Sequence, residues 1–155
     1  EQIADGLESF HGAGRRFEFL GTFSGVTIAD DYAHHPTELE ATLRAAKEMD
    51  YKRVWAVFQP FTYTRTQMLL DDFARVLQIA DKVVMTEIMG SRERAEDYAV
   101  RTKDLAAKVP GSVWYDTFDE VVDHVMKNAR PGDLVITLGC GDIYKAAKKM
   151  VAWEA

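Results

Sequence analysis

RVWAVF (residues 53–58) is an apolar run in which polar and apolar residues do not alternate. Such a run is typical of a strand that is buried on both faces, as in a parallel sheet covered by helices. The stretches KVVMTEI (residues 82–88) and DLVITLG (residues 133–139) have the same character, and SVWY (residues 112–115) is a shorter run of this kind. These stretches predict the strands of one sheet.

Helical patterns separate the predicted strands. After Pro36, apolar residues recur at Leu39, Leu43 and Ala46, which is the spacing of one helical face. A second such face is formed by Leu69, Phe73, Val76, Leu77 and Ala80. Three more helices are predicted over residues 102–108, 117–128 and 142–153, and Thr117 and Glu120 have the spacing of a capping box at the start of the second.

The stretch RFEFLGTFSGVTIAD (residues 16–30) has aromatic and β-branched residues on both sides of Ser24 and Gly25, which predicts a β-hairpin. Strands alternate with helices in the rest of the chain. The sequence therefore predicts an α/β domain over residues 15–155: a mainly parallel, Rossmann-like sheet with helices on both faces and an N-terminal β-hairpin. The Gly-rich residues 1–14 are predicted to be a linker or the end of a preceding element.

Composition restricts the class of protein. The chain has 155 residues, which is enough for one domain with a core, and a net charge of −6, which disfavours nucleic acid and anionic membranes as partners. One cysteine, Cys140, excludes a disulfide within the chain. No apolar run approaches the length of a membrane span, and the first residues lack a signal-peptide pattern, so a cytoplasmic location is expected.

Ligands gather at the carboxyl ends of the strands in sheets of this kind. The first turn at such an end is DDYAHHP (residues 30–36), where two carboxylates, a phenol and two imidazoles precede a helix. Two interpretations remain open: these residues cap and solvate a turn, or they form the edge of a binding or catalytic site. Adjacent histidines seldom point at one ion and no third ligand is evident, so no metal site is predicted.

The start of the helix after this turn has two candidate positions. Pro36 suits the first helical position, where no amide donor is needed. Alternatively, the helix begins one residue later, because Thr37 and Glu40 have the spacing of a capping box.

The second turn is FQPFTYTRT (residues 58–66). Thr64 and Gln67 have capping-box spacing, which puts Arg65 in the first helical turn. A cation there is unfavourable for the helix dipole, which hints that Arg65 has another task, such as holding a carboxylate or phosphate. The alternative is a surface arginine that points into water.

The third turn is LGCGDIYK (residues 138–145). Its two glycines let the backbone approach a ligand closely, although a tight turn explains them equally well. The spacing matches neither the dinucleotide-binding fingerprint nor a P-loop. Cys140 is interpreted as a small packed residue, because the sequence places no base beside it.

Taken together, DDYAHHPTE, FQPFTYTRT and GDLVITLGCGDIYK resemble motifs of the carboxyl-terminal domain of the Mur ligase family, in particular its L-alanine-adding branch. FHGAGRRFEFLG (residues 10–21) is similar to the junction that follows the ATPase domain in this family. The resemblance covers nearly the whole chain. It implies that residues 1–14 end a preceding ATPase domain and that the chain is one part of a three-domain enzyme.

The resemblance implies an ATP- and Mg²⁺-dependent reaction of peptidoglycan synthesis, in which L-alanine is joined to UDP-N-acetylmuramate through an acyl phosphate. This sequence has no P-loop, so the chain alone is expected to be inactive and to bind no cofactor by itself. ATP, L-alanine and UDP-N-acetylmuramate would be bound together with domains outside this chain.

The resemblance also implies roles for individual residues. Tyr32, His34, Arg65, Gly139 and Gly141 would form the L-alanine site. Within that site Arg65 would hold the carboxylate, and His34 would be the catalytic residue that contacts the amino acid or accepts its proton.

For the nucleotide, Asp31 would meet the ribose and Arg16 the phosphates. Phe61 and Thr62 stand where family members often have histidine and then arginine or threonine, which removes a polar contact.

Two other functions remain as alternatives. One is the family's ligase that recycles a muramyl peptide, which is expected to keep the histidine motif and to lack FQPxTYTRT. The other is a binding module of doubly wound fold without catalysis, which the missing P-loop favours.

Overall fold

The structure is a computed structural model that describes residues 17–153. The strands are β1 (Glu18–Phe23), β2 (Val26–Asp31), β3 (Val54–Phe58), β4 (Lys82–Thr86), β5 (Val113–Tyr115) and β6 (Leu134–Leu138). The α-helices are α1 (Pro36–Glu48), α2 (Tyr63–Met68), α3 (Leu70–Leu77), α4 (Thr102–Ala106), α5 (Phe118–Asn128) and α6 (Tyr144–Val151), and a 3₁₀ helix spans Ala95–Asp97. Within the described residues no helix is long and apolar enough to cross a bilayer.

One six-stranded sheet organises the chain in the order β1-β2-β6-β3-β4-β5. Strand β1 pairs antiparallel with β2, and every other pairing is parallel. The predicted class, a mainly parallel sheet with an N-terminal hairpin, is therefore confirmed. The hairpin turns at Ser24 and Gly25, whose φ values of 51° and 83° are those of a primed two-residue turn.

Helices cover both faces of the sheet, as predicted. Helices α1, α3 and α4 pack together on one face, and α5 and α6 on the other. Strand β3 supplies both cores because its side chains alternate: Ala56 and Phe58 face the first group of helices, and Trp55 and Val57 face the second. All five residues of β3 are buried, as its uninterrupted apolar run predicts.

Of the two candidate starts of α1, the one with Pro36 in the first helical position is confirmed and the Thr37 cap is wrong, as is the predicted Thr64 cap of α2. Helix α1 begins at Pro36, with His35 as its cap and Glu38 as the reciprocal partner, so Thr37 does not cap it. Helix α2 begins at Tyr63 and is capped by Thr62 rather than by Thr64. Each of these stretches holds more than one polar residue that can cap a helix, so the spacing alone does not select the one that is used.

Other boundaries differ by a few residues. The predicted face from Leu69 to Ala80 is interrupted at Leu69, which separates α2 from α3, and Ala80 lies beyond the end of α3. The last helix is shorter than predicted and spans Tyr144–Val151. Helix α5 begins after Thr117, whose hydroxyl and the Glu120 carboxylate form the predicted capping box.

Candidate functional site

The three predicted turns lie side by side at one edge of the sheet. Leu138, the last residue of β6, is in register with Asp31 at the end of β2 and with Phe58 at the end of β3. Because the three strands are parallel and end together, residues separated by more than a hundred positions in sequence come to one edge. This edge is the carboxyl edge, where sheets of this type bind ligands.

Two buried carboxylates support the first turn. Asp31 accepts hydrogen bonds from the amide of Ala33 at 2.8 Å, the amide of Phe17 at 2.9 Å and the hydroxyl of Thr42 at 3.3 Å. Asp30 accepts a hydrogen bond of 2.6 Å from the hydroxyl of Thr137 in β6. Both aspartates are therefore structural parts of the turn, whatever else they contact.

Asp31 also borders a cavity of about 290 Å³. Phe17 and the Thr37, Glu38, Ala41, Thr42 and Ala45 side of α1 complete its lining. Phe17, which lines the cavity, is the first residue that the structure describes. Arg16 lies outside the described residues, and its role stays a prediction, as does contact between Asp31 and a ribose.

His34 and Tyr32 form the outer part of the first turn. Tyr32 is exposed, and its ring meets the ring of His34 edge to face at 5.4 Å. His34 Nδ1 lies 3.1 Å from the carbonyl oxygen of Tyr32 and 3.5 Å from Glu38 Oε1. Both neighbours are acceptors, so the neutral ring carries its proton on Nδ1 and presents Nε2 as a proton acceptor.

The second turn reaches the first through an aromatic contact. The ring of Phe61, which follows β3, lies 6.5 Å from the ring of His34. Arg65 is the third residue of α2, in the first helical turn as predicted, and its amide donates to the hydroxyl of Thr62. Within residues 17–153 no carboxylate forms an ion pair with the half-buried Arg65 side chain. Among the described residues the guanidinium is thus a cation without a counter-ion, on the helix that follows the turn in contact with His34.

The third turn is shaped by contact with Gln59. Gly139 has a φ of 148°, and a Cβ built there would lie 3.0 Å from the carbonyl oxygen of Gln59. A Cβ on Gly141 would lie 2.7 Å from Gln59 Oε1. A side chain at Gly139 would therefore meet the backbone, whereas one at Gly141 would require the Gln59 side chain to shift, and the turn packs closely on the end of β3.

Gln59 itself is a residue that the sequence analysis did not single out. It is buried, and its Nε2 donates to Asp142 at 3.2 Å, which links the end of β3 to the segment before α6. Among the described residues its Oε1 is a buried acceptor without a donor. No spacing rule would have selected Gln59, because its partner is 83 positions away.

Glu93 is a second residue that the sequence analysis missed. Its carboxylate accepts hydrogen bonds from the amides of Tyr63 and Thr64 and from the hydroxyl of Thr64. The Thr64 hydroxyl, followed by the two amides and the Tyr98 hydroxyl, holds the pKa of Glu93 below its ordinary value despite an opposing effect of burial. This carboxylate occupies the start of the helix that carries Arg65.

The site has no metal-binding cluster in the part of the chain that the structure describes. No group of three or more His, Cys, Asp or Glu side chains comes together there in a way that could hold an ion. His34 and His35 differ in role, because the His35 ring accepts from the amide of Thr37 while His34 turns toward the Tyr32 carbonyl.

The sequence of the chain is similar to those of one family of known proteins. The family model for the glutamate ligase domain of Mur ligases matches residues 15–141. The UDP-N-acetylmuramate–L-alanine ligase of Acetivibrio thermocellus is 44% identical over 98% of this chain, and this chain covers 34% of that protein.

Solved structures show the same fold. The UDP-N-acetylmuramate-alanine ligase of Thermotoga maritima superposes with a TM-score of 0.73 and 25% identity, over 96% of this chain and 31% of that one. A murein peptide ligase from Psychrobacter arcticus superposes with a TM-score of 0.70 and 23% identity, over 90% of this chain and 29% of that one.

A mainly parallel α/β sheet with helices on both faces and polar turns at its carboxyl edge defines a domain of the doubly wound type. The chain belongs to the Mur ligase family, as its glutamate ligase domain. It spans about a third of the length of the curated relatives that it matches.

Proposed function

We propose that this chain is the carboxyl-terminal domain of a cytoplasmic, ATP-dependent ligase of peptidoglycan synthesis that joins L-alanine to UDP-N-acetylmuramate. The observation that carries the proposal is the contact between the His34 turn and the Arg65 turn at the carboxyl edge. It joins the turn that carries the proton acceptor His34 to the start of the helix that carries Arg65, whose guanidinium has no ion-pair partner among residues 17–153. A cation and a proton acceptor are the two groups that a free amino acid requires. The identity to the L-alanine ligase of A. thermocellus over nearly the whole chain supports the choice of substrate.

Arg65 binds the carboxylate of L-alanine in this proposal. A guanidinium forms two parallel hydrogen bonds with a carboxylate, and these charge-assisted bonds are stronger than neutral ones. Because no described side chain pairs with Arg65, the substrate would not have to displace an internal partner. Gly139 and Gly141 let the third turn pack closely on Gln59, and in this proposal the amino acid lies against the backbone of that turn.

His34 acts on the amino group of the substrate. An ammonium must lose a proton before its nitrogen can attack an acyl phosphate, and the Nε2 atom of His34 is the acceptor that the Nδ1 contact leaves available. Tyr32 packs against the His34 ring and forms the outer wall of the pocket. ATP supplies the phosphoryl group that activates the carboxylate of UDP-N-acetylmuramate, and Mg²⁺ would neutralise its phosphates.

The nucleotide contacts of this chain are Asp31 and Arg16 in the proposal. Asp31 would meet the ribose at the cavity beside Phe17, and Arg16 would meet the phosphates. We assign Mg²⁺ no ligand among residues 17–153, because no cluster of ligating side chains occurs there. The P-loop and the UDP-substrate site belong to the other domains of the complete enzyme.

The test measures the complete product of the gene that encodes this chain. We expect it to form an amide from UDP-N-acetylmuramate and L-alanine with release of phosphate from ATP, and we expect the 155-residue chain alone to do neither. Turnover with a free tripeptide, whose amino terminus would attack the acyl phosphate in place of the amine of L-alanine, would instead establish the recycling ligase. ATP-independent binding without any amide product would establish the non-catalytic module.

The variant Arg65→Ala tests the carboxylate contact. Loss of a charge-assisted hydrogen bond costs about 1.5–3 kcal/mol, so we expect the KM for L-alanine to rise about 10- to 100-fold while the KM for ATP changes less than about twofold. Arg75→Ala is the matched control, because Arg75 is an exposed arginine of α3 that pairs with Glu40 and Asp72. Equal increases in both KM values would contradict the carboxylate role of Arg65.

A further inference from the structure

The loop between β4 and α4 has no role in the proposed function, yet it is joined to the Arg65 helix. We call residues 89–101 the Glu93 loop. Its first residue, Met89, accepts a hydrogen bond from the amide of Thr62 and donates one to the carbonyl oxygen of Pro60, both at 2.9 Å. Phe61 and Met89 form an isolated parallel bridge. The Glu93 loop therefore continues the sheet beside the turn that precedes α2.

Side chains hold the Glu93 loop against the start of α2. The rings of Tyr63 and Tyr98 stack at 5.6 Å with an interplanar angle of 11°. The Arg101 guanidinium lies 5.6 Å from the centre of the Tyr63 ring and donates to the carbonyl oxygens of Ala95, Tyr98 and Val100. The loop is thus folded on itself and packed on the first residue of α2.

Glu93 and Thr62 together satisfy the first amides of α2. The Glu93 carboxylate accepts from the amides of Tyr63 and Thr64, and the Thr62 hydroxyl accepts from the amide of Arg65 at 3.2 Å. These are the donors that a helix start leaves without a partner in the helix. The carboxylate oxygens of Glu93 accept hydrogen bonds from the backbone and from the Thr64 hydroxyl. Glu93 therefore orders the start of α2 without forming an ion pair with Arg65.

The backbone of Thr62 indicates that this arrangement is constrained. Thr62 has a φ of 63°, a conformation that is unfavourable for a β-branched residue. Such conformations cost roughly 1–3 kcal/mol and persist where surrounding contacts determine the backbone. The Glu93 loop supplies those contacts on one side of Thr62, through the Met89 carbonyl and the Glu93 carboxylate.

We propose that Glu93 is the positioning residue for Arg65: by binding the first amides of α2 it fixes the direction in which the Arg65 guanidinium meets the substrate carboxylate. This inference rests on the proposed function of Arg65. Glu93 does not touch the substrate, and its effect on the amino-acid site passes through the helix backbone. The Glu93 loop is accordingly a determinant of affinity for the amino acid.

The experiment uses the complete enzyme and compares Glu93→Ala with the matched control Glu96→Gln. Glu96 lies in the same loop and is exposed at 70%, where it pairs with Arg94. We expect Glu93→Ala to raise the KM for L-alanine about tenfold with the KM for ATP nearly constant, because a displaced guanidinium loses much of its geometry-dependent binding. Glu93→Gln keeps an acceptor oxygen, so its KM for L-alanine should lie between those of the wild type and Glu93→Ala. The KM of Glu96→Gln should equal that of the wild type.

A double variant separates positioning from general stabilisation. If Glu93 acts through Arg65, adding Glu93→Ala to Arg65→Ala leaves the KM for L-alanine at the value of Arg65→Ala alone. A further multiplicative rise would overturn the inference, as would an unchanged KM in a folded Glu93→Ala enzyme. Thr64→Val provides a second route if Glu93→Ala fails to fold. It removes one donor to Glu93, and a raised KM for L-alanine supports the inference whereas a wild-type KM refutes it.

The same measurements distinguish this inference from the proposed function. An Arg65→Ala enzyme with a normal KM for L-alanine would overturn the role of Arg65 and with it the inference. A raised KM in Arg65→Ala together with a normal KM in Glu93→Ala would overturn the inference alone.

Discussion

Replacing Asp133 with alanine tests how much stability one buried carboxylate contributes to this domain. Asp133 is 1% exposed and lies just before β6, at the edge of the sheet opposite the site. It accepts hydrogen bonds from Arg53 Nη2 at 2.8 Å, from Trp55 Nε1 at 2.9 Å and from the amide of Arg130 at 3.0 Å. The carboxylate thus ties the beginning of β6 to the neighbouring strand β3.

The expected loss of stability follows from the hydrogen-bond donors that Asp133→Ala would leave without an acceptor. Leaving a buried donor unpaired costs roughly 1–3 kcal/mol. Trp55 is 2% exposed, so its indole nitrogen has no access to water, whereas the Arg53 side chain is 28% exposed and can rehydrate in part. We therefore expect Asp133→Ala to lower the free energy of unfolding by about 3–5 kcal/mol, the range for a broken buried pair.

The assay is equilibrium unfolding of the chain in urea, followed by far-ultraviolet circular dichroism. With a slope of about 2 kcal/mol per M, the expected loss lowers the midpoint by about 2 M. Asp119→Ala is the control: this carboxylate pairs with Lys149 at 2.8 Å but is 82% exposed, so its removal should cost less than about 1 kcal/mol. Equal losses for the two variants would refute the argument from burial.

The pH dependence provides a second check on Asp133. Burial raises the pKa of this carboxyl, but the hydrogen bonds from Arg53, the Arg130 amide and Trp55 outweigh burial and hold the pKa below its ordinary value of 3.8. A depressed pKa in the folded state contributes stability that is fully present above pH 3.8 and is lost as the pH falls through the folded pKa. The difference in stability between the wild type and Asp133→Ala should therefore shrink only below that pH.

Two further pairs of substitutions, each a test variant with its control, probe the local backbone. All four variants are measured by urea unfolding. Gly139→Ala should cost roughly 1–3 kcal/mol, because φ is 148° and the new Cβ would lie 3.0 Å from a carbonyl oxygen. Gly111→Ala is the control, because Gly111 also has a positive φ but has open space around it. An equal or larger loss of stability in Gly111→Ala would show that the close contact at Gly139 contributes nothing. Thr117→Ala should cost about 1 kcal/mol through loss of a helix cap. Its control, Thr37→Ala, should lower the free energy of unfolding by less than half of that amount, because His35 caps α1. A loss of about 1 kcal/mol would instead identify Thr37 as the cap.

The strands and their shared edge could be predicted from the sequence because the signals are local. The apolar run that becomes β3 has the pattern of a strand buried on both faces, and all of its residues are buried in the structure. The Ser24–Gly25 turn and the Thr117 cap were predicted for the same reason: each depends on neighbouring residues alone. Parallel strands share a carboxyl edge, so the three turns could be expected to meet.

The parts that could not be predicted depend on contacts between distant segments. Thr62 caps α2 in place of Thr64 because Thr64 is engaged by Glu93, which is 29 residues away. The Asp31 carboxylate accepts a hydrogen bond from the amide of Phe17, which is 14 residues away across the hairpin. Gln59 meets Asp142 from another strand end. Such partners have no characteristic spacing in sequence. Sequence patterns therefore predict the helices and strands but not the distant side chains that stabilise their ends.

The position of β6 has a consequence for the synthesis of this protein. Strands β2 and β3 share no backbone hydrogen bonds, because β6 lies between them, yet β6 is the last strand in the chain. A growing chain on the ribosome therefore carries two incomplete sheets with apolar edges until residues 134–138 have emerged. Open strand edges of this kind pair readily with other chains. Premature termination before β6 should yield a product that aggregates rather than a smaller folded domain.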